Sequence, residues 1–276
     1  MDYKKVLTIQ DISCVGQCSL TVALPILSAC GLETCVLPSA VLSTHTAGFT
    51  GYTFRDLTED IPGIREHWCK ENIRFDGIYT GYLGSTRQIS LVQEIFATCG
   101  TANCLKIVDP AMADNGKLYP GFDMPYVEAM KSLCADADYV VPNITEACFL
   151  TGVEFKEAYD RAYIDSLLAG LTAIGCKNII LTGVSYDTGR TGVVVLENGV
   201  YAYYEHEKLP NSCHGTGDIY ASALVGAMLR GNSAYDAAKI AAEYTMDCIR
   251  TTAKLDNHWY GAAFEPVLGN LIRALN

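Results

Sequence analysis

Asn211 to Asp218 reads NSCHGTGD and runs straight into IYASALVGAMLRG, a helical pattern of small residues. A helix that begins here leaves its first backbone N–H groups unpaired and carries partial positive charge at that end. Gly215 and Gly217, on either side of Thr216, let the backbone close on an anion, so the turn can hold a phosphate. A carboxylate in the same turn would repel that phosphate. Asp218 makes sense if it takes a proton from an attacking hydroxyl while the amides hold the phosphoryl group in transfer. The competing reading is a plain helix cap, since Asp is favoured at helix starts. The rest of the chain decides between them.

Upstream of this turn, short β-rich runs alternate with helical patterns. Strands are expected at Val6 to Gln10, Thr34 to Val41, Gly77 to Gly81, Leu105 to Val108, Tyr139 to Val141 and Asn178 to Thr182. Helices are expected at Ser19 to Cys30, Gly63 to Asn72, Arg87 to Thr98, Pro125 to Ala135 and Arg161 to Ile174. The rhythm predicts an α/β fold with a mainly parallel sheet and helices on both faces. Thr191 to Leu196 and Val200 to Tyr204 then flank Asn198-Gly199 and read as a β-hairpin. Three helical stretches follow, from about Asp218, Ala234 and Phe264. With no repeat or linker in view, residues 1–276 read as a single domain.

Ligands of open α/β sheets bind outside the carboxyl ends of the strands. Asp11, Ser13, Thr44 to Thr46, Tyr82, Asp109, Asn143 and Thr182 all fall at such ends.

The totals narrow the class of function. Half of the 276 residues are hydrophobic and 18% are charged, which excludes a disordered chain. A formal net charge of −11 argues against nucleic acid or anionic membranes as partners. The twelve cysteines include no C-x-x-C pair, and most sit in apolar runs as small buried residues. No apolar run reaches membrane-spanning length. The opening MDYKKVLTIQ shows no signal peptide, so a reduced cytoplasm is the expected setting and the Asn143-Ile144-Thr145 sequon a coincidence.

Familiar nucleotide motifs fail. Gly116-Lys117 lacks the rest of a P-loop, and Gly215-x-Gly217 meets Tyr220 where a Rossmann fingerprint needs glycine. Other residues carry more. Asp109 precedes Pro110, which ends the strand and leaves the carboxylate at the ligand edge. Asn143 and Glu146 are three apart at a helix start, so they share a face. Such a pair suits hydrated Mg²⁺, which takes few protein oxygens, and suits a simple cap equally well. Thr44, His45 and Thr46 could serve a ring substrate, or His45 could be a satisfied structural histidine.

Together these pieces resemble the ribokinase-like superfamily, and within it the vitamin B6 kinases. IQDISCVGQCSLTVALPILSACGLE resembles the opening strand, turn and helix, and STHTAGFTGY the pyridoxal kinase segment that commonly reads SNHTGY. YTGYLGS, VDPAMADNGKLY, VPNITEACFLTG and GTGD resemble further family elements, in family order. The resemblance implies a three-layer sandwich and ATP-dependent phosphorylation of the 5′-hydroxymethyl group of pyridoxal, pyridoxamine or pyridoxine. It makes Asp218 the base and Gly215, Thr216 and Gly217 the anion hole. Asn143 and Glu146 would support Mg²⁺ through water, and Asp109, Thr182 and Lys208 would serve ATP. Asp11 or Ser13, with His45, Thr46 and Tyr82, would line the B6 pocket. A homodimer is implied as well, and K⁺ is an open addition to ATP and Mg²⁺.

Two departures keep alternatives open. Asp11-Ile12-Ser13 stands where pyridoxal kinases often continue I-Q-S-H, and NSCHGTGD echoes the N-T-H-G-T-G-C of hydroxymethylpyrimidine kinases. Asp218 in place of that Cys, and THT in the pocket, favour a B6 kinase. A hydroxymethylpyrimidine kinase, a dual-specificity enzyme and a non-catalytic B6-binding protein remain the other readings.

Overall fold

A computed structural model describes residues 3–210 and 213–276. Asn211 and Ser212 of the opening motif lie outside the described residues.

The chain runs β1 (Lys5–Ser13), α1 (Leu20–Ala29), β2 (Glu33–Leu42), β3 (Phe54–Asp56), α2 (Ile61–Lys70), β4 (Phe75–Thr80) and α3 (Thr86–Thr98). It continues β5 (Gly100–Val108), β6 (Ala113–Asp114), β7 (Lys117–Leu118), α4 (Met124–Asp136), β8 (Tyr139–Val140), α5 (Ile144–Thr151) and α6 (Arg161–Ala173). Then come β9 (Asn178–Val184), β10 (Arg190–Glu197), β11 (Val200–Glu207), α7 (Thr216–Leu229), α8 (Ala234–Thr252) and α9 (Leu268–Ala274).

Nine strands form one sheet in the order β11-β10-β9-β8-β5-β4-β1-β2-β3. The six from β9 to β2 are parallel, and antiparallel strands close both edges. Strand alternation sorts the core to two faces. Leu7, Ile78 and Val108 pack with α2 to α6, while Val6, Tyr79 and Ile107 pack with α1, α7, α8 and α9. This is the ribokinase-like α/β arrangement.

The expected strands and helices are present, with β1 and β5 longer than expected. The β10–β11 hairpin turns at Asn198 and Gly199, at φ 51° and 76°, the left-handed geometry that Asn-Gly favours. The final helix starts at Leu268 rather than near Phe264, because Glu265 to Val267 form a 3₁₀ turn around Pro266. α7 is buried on nearly every side, which explains its small, uniformly apolar sequence.

Two consequences place the site. β1 is flanked by β2 on one side and β4 on the other, so the chain reverses its direction of growth at β1. Carboxyl ends at such a switch open a crevice for ligands. Among the described residues, no helix is long and apolar enough to cross a membrane.

Candidate active site

Gly215 is the N-cap of α7, at φ 76°, and its side-chain-free Cα is obligatory. A Cβ there would fall 1.7 Å from the carbonyl oxygen of Gln17 in the β1–α1 loop. Thr216 and Gly217 are the first two helical residues, and Thr216 Oγ1 donates to Cys213 O across 3.3 Å. Asp218 is third. It is not the cap, and Gly215, which is, has no side chain to bond the first-turn amides, so among the described residues these stay open to a ligand.

Asp218 is enclosed by protein yet keeps an opening to solvent. Burial pushes its carboxyl up to about 7, against the pull of the Ser19 amide, and Asp11 adds to the rise. A helix start should lower a carboxylate pKa by well under one unit's worth of interaction. Desolvation wins. An acid poised near neutrality is suited to accept a proton at working pH.

Two elements bring further carboxylates to the same crevice, and a third brings Thr182. Asp109 follows β5, with its amide on Thr80 O at 2.9 Å and its Oδ1 accepting from Ala111 N at 3.1 Å. Burial first, then Glu146 and Asp218, raises Asp109 well above the usual carboxylate range. Glu146 is buried at the start of α5 and pushed up to about 7 by burial. Its Oε2 accepts from Asn143 N at 2.9 Å and its Oε1 from Met112 N at 3.1 Å. Asn143 returns the bond, accepting from Glu146 N at 2.9 Å, and donates through Nδ2 to Ala113 O at 2.9 Å. The expected cap and the expected convergence are thus one reciprocal capping box. Thr182, on β9, bridges to Asn143, and its amide donates to Pro142 O at 2.9 Å.

No salt bridge among the described residues reaches Asp11, Asp109, Glu146 or Asp218. Nor do the described residues contain a ready cluster of three metal-binding side chains. Buried acids without a fixed cation fit an ion such as Mg²⁺, which keeps its waters and uses few protein oxygens.

The other wall is built at β1 and β2. Asp11 is buried and accepts from Ser13 Oγ at 3.0 Å and from Ser19 Oγ at 2.5 Å. Burial raises its pKa despite these bonds. Asp11 and Ser13 are therefore one hydrogen-bonded unit. His45 is buried, and both ring nitrogens are engaged: Nδ1 accepts from Ala47 N at 3.1 Å, so Nε2 donates to Tyr260 O at 2.8 Å. Gly16 makes this approach possible, since a Cβ there would overlap the imidazole at 2.0 Å. His45 can offer a pocket its ring face but no free nitrogen. Thr46 beside it is exposed, while Thr44 Oγ1 is buried without a partner among the described residues. Tyr82 is half-buried against Phe122, ring centroids 5.4 Å apart, and burial with Asp11 pushes its phenol up to about 12.

Residues 28–263 match the phosphomethylpyrimidine kinase family. The chain belongs to that family.

A Bacteroides thetaiotaomicron relative, in an orthorhombic crystal form with pyridoxal, is 36% identical with a TM-score of 0.92. The match covers 98% of this chain and 96% of that one. Pyridoxal kinase from Lactobacillus plantarum is 31% identical with a TM-score of 0.90, covering 98% and 97%. Pyridoxal kinase of Dictyostelium discoideum is 28% identical over 244 residues, 82% of this chain and 78% of the relative.

Most of the expected site residues are joined by the contacts above; among the described residues Thr46 and Lys208 are not. Lys208 lies exposed just after β11, its amide on Gly189 O at 2.9 Å, and makes none of the contacts that join the others. Ser19 is a residue the sequence concealed. Placed before a helix, it reads as an N-cap, yet its side chain makes no cap bond and turns to Asp11, with a backbone φ of 56°. Tyr119, in the loop after β7, is a second: burial first, then the charges of Glu146, Asp114, Asp109 and Asp218, raises its phenol. Its distance in sequence from Asp218 hides that role.

Proposed function

We propose that this chain transfers the γ-phosphoryl group of ATP to the 5′-hydroxymethyl group of a B6 vitamer. The observation that carries the reading is Asp218, an acid with no salt bridge among the described residues, held near neutrality in the first turn of a glycine-started helix. In this reading Asp218 accepts the proton of the attacking hydroxyl as its oxygen bonds to phosphorus and ADP departs. The amides of Gly215, Thr216 and Gly217 hold the phosphoryl oxygens, so most of the catalysis is positioning and electrostatics.

Glu146 and Asn143 would hold Mg²⁺ through water, with Asp109 facing the phosphates. When bound, the ion offsets phosphate charge and orients the group in transfer. Thr182 would lie at the phosphates, and Lys208 along the nucleotide. K⁺ is a further candidate cation. Asp11, Ser13, Thr46 and Tyr82 would contact the vitamer, with the His45 ring closing the wall. We assign all of this to one domain spanning residues 1–276, in the cytoplasm, acting as a homodimer.

Phosphorylation of hydroxymethylpyrimidine is the second reading, supported by the family to which the chain belongs. An ADP-release assay across pyridoxal, pyridoxamine, pyridoxine and hydroxymethylpyrimidine separates the two. A B6 vitamer is expected to give the highest kcat/KM. A tenfold preference for the pyrimidine overturns the assignment, and vitamer binding without ADP release would mark a non-catalytic binding protein.

A further inference from the structure

On the sheet face that carries α7, three fully buried side chains each leave one polar atom without a partner among the described residues: Gln10 Oε1, Tyr79 Oη and Ser222 Oγ. They are neighbours. Tyr79 pairs with Thr8 across β4 and β1, and Gln10 Nε2 donates to Thr8 Oγ1 at 2.9 Å. Ser222 follows Asp218 by four residues on α7 and so lies one turn along the same helix face. Burial first, then the charges of Asp109 and Asp218, raises the Tyr79 phenol, while Ser222 and Gln10 beside it pull the other way. Among the described residues none of the three oxygens completes a hydrogen bond of good geometry. Gly81 leaves room at the amide of Gln10, since a Cβ there would come within 2.7 Å of Oε1.

Buried polar atoms in native proteins are paired, and where protein supplies no partner an ordered water does, with about three bonds. We propose that Gln10, Tyr79 and Ser222 hold an internal water molecule beneath the catalytic carboxylate, and that this water belongs to the phosphoryl-transfer site. The two hydroxyls donate to the water, and the water donates to Gln10 Oε1. One water hydrogen remains for a further acceptor, on the side of the carboxylates whose charge reaches Tyr79. The groups facing Asp218 are Asp11 from β1, Tyr79 from β4, Asp109 from β5, Cys18 from the β1–α1 loop and Tyr119 from the loop after β7. These are carboxylates, a thiol and phenols, so a fixed donor below Asp218 favours its ionised form. Gln10, Tyr79 and Ser222 are thus positioning residues that act through water, on the reading that Asp218 is the base.

The test pairs crystallography with pH kinetics on the full chain. At about 1.5 Å resolution, waters are placed by density and contacts rather than assumed. Wild type should show one water within hydrogen-bonding distance of all three oxygens, absent in Ser222→Ala and in Tyr79→Phe. In the same variants the acid limb of kcat should move upward by roughly half a pH unit or more, with both KM values within about twofold. Ser222→Ala alone carries both readouts if Tyr79→Phe does not fold. A dry wild-type site with the three oxygens bonded to one another, or an unmoved limb, overturns the proposal. Near wild-type turnover in Asp218→Asn removes the base and with it the role of the water, and the density, which is independent of Asp218, identifies that as the step that failed.

Discussion

Ser19 ties Asp11 to Asp218. Its hydroxyl donates to Asp11 Oδ1 across 2.5 Å, and its backbone amide draws the Asp218 carboxyl back towards ionisation. One residue thereby couples the wall proposed for the vitamer to the proposed base. Hydrogen bonds to a charged acceptor contribute about 1.5–3 kcal/mol. Ser19→Ala should lose stability of that order when Asp11 is ionised, and less in acid, where the carboxyl is neutral. Urea unfolding at two pH values measures the difference. A pH-independent loss would show that the hydroxyl matters for packing alone.

Asp218→Asn should retain the fold, because the side chain caps nothing. Turnover should fall by about 10²–10⁴-fold, the usual contribution of a positioned base. Single-turnover phosphorylation with saturating ATP and vitamer reads the chemical step directly. A variant as fast as wild type would move the base elsewhere.

The same carboxyl makes stability depend on pH. Its folded pKa, about 7, lies above the ordinary Asp value of 3.8, so folding favours the protonated form. The stability it contributes is complete below about pH 4 and is lost as pH rises through 7. In the ligand-free protein Asp218→Asn should therefore match wild type near pH 4 and exceed it near pH 8, by about 1–2 kcal/mol once partial solvation is allowed for. Glu146, also raised to about 7, contributes with the same sign. Chemical denaturation of both proteins at the two pH values tests this, and equal gains at both would contradict it.

Gly215 and Gly217 should respond differently to alanine. At Gly215 a side chain meets a positive φ and the Gln17 carbonyl at once. The left-handed backbone alone costs about 1–2 kcal/mol. At Gly217 an added Cβ meets nothing within 4 Å among the described residues. Gly215→Ala should lower Tm by several degrees, roughly 2–4 °C per kcal/mol at this size, while Gly217→Ala stays near wild type. Calorimetry on the pair decides.

Glu146→Gln keeps the size of the side chain but removes its charge from beneath the proposed Mg²⁺ position. Loss of an outer-sphere partner usually lowers metal affinity by about 10–100-fold. The Mg²⁺ concentration for half-maximal rate should rise on that scale, with kcat largely recovered at saturation. A variant whose Mg²⁺ curve overlays wild type would assign Glu146 to the capping box only.

How much of this the bare chain disclosed depended on whether the cause was local. The central strands were legible because parallel strands buried on both faces are continuous apolar runs, and the β10–β11 hairpin because Asn198-Gly199 prescribes its own turn. β3 was not, since Phe54, Arg55 and Asp56 are all exposed and show no alternation. The two-residue strands β6 and β7 are too short for any period. In the site, Asp218 and the Asn143–Glu146 box carry their reasons within a few residues. The duty of Ser19, the commitment of both His45 nitrogens to backbone, and the reach of Tyr119 arise from contacts across the fold, and nothing in their neighbourhoods announces them.

The strand order also divides the labour of inheritance. Residues proposed to meet the vitamer, Asp11, Ser13, Thr46 and Tyr82, come from β1, β2 and β4 at one end of the sheet. Those proposed for the phosphates, Asp109, Asn143, Glu146 and Thr182, come from β5, β8 and β9 towards the other. The glycine turn at Gly215 is the seam. On the proposed roles, a change of alcohol substrate would fall mainly on residues of the first hundred, with Phe122 and Tyr260 as their packing partners, and a change of nucleotide on residues beyond them.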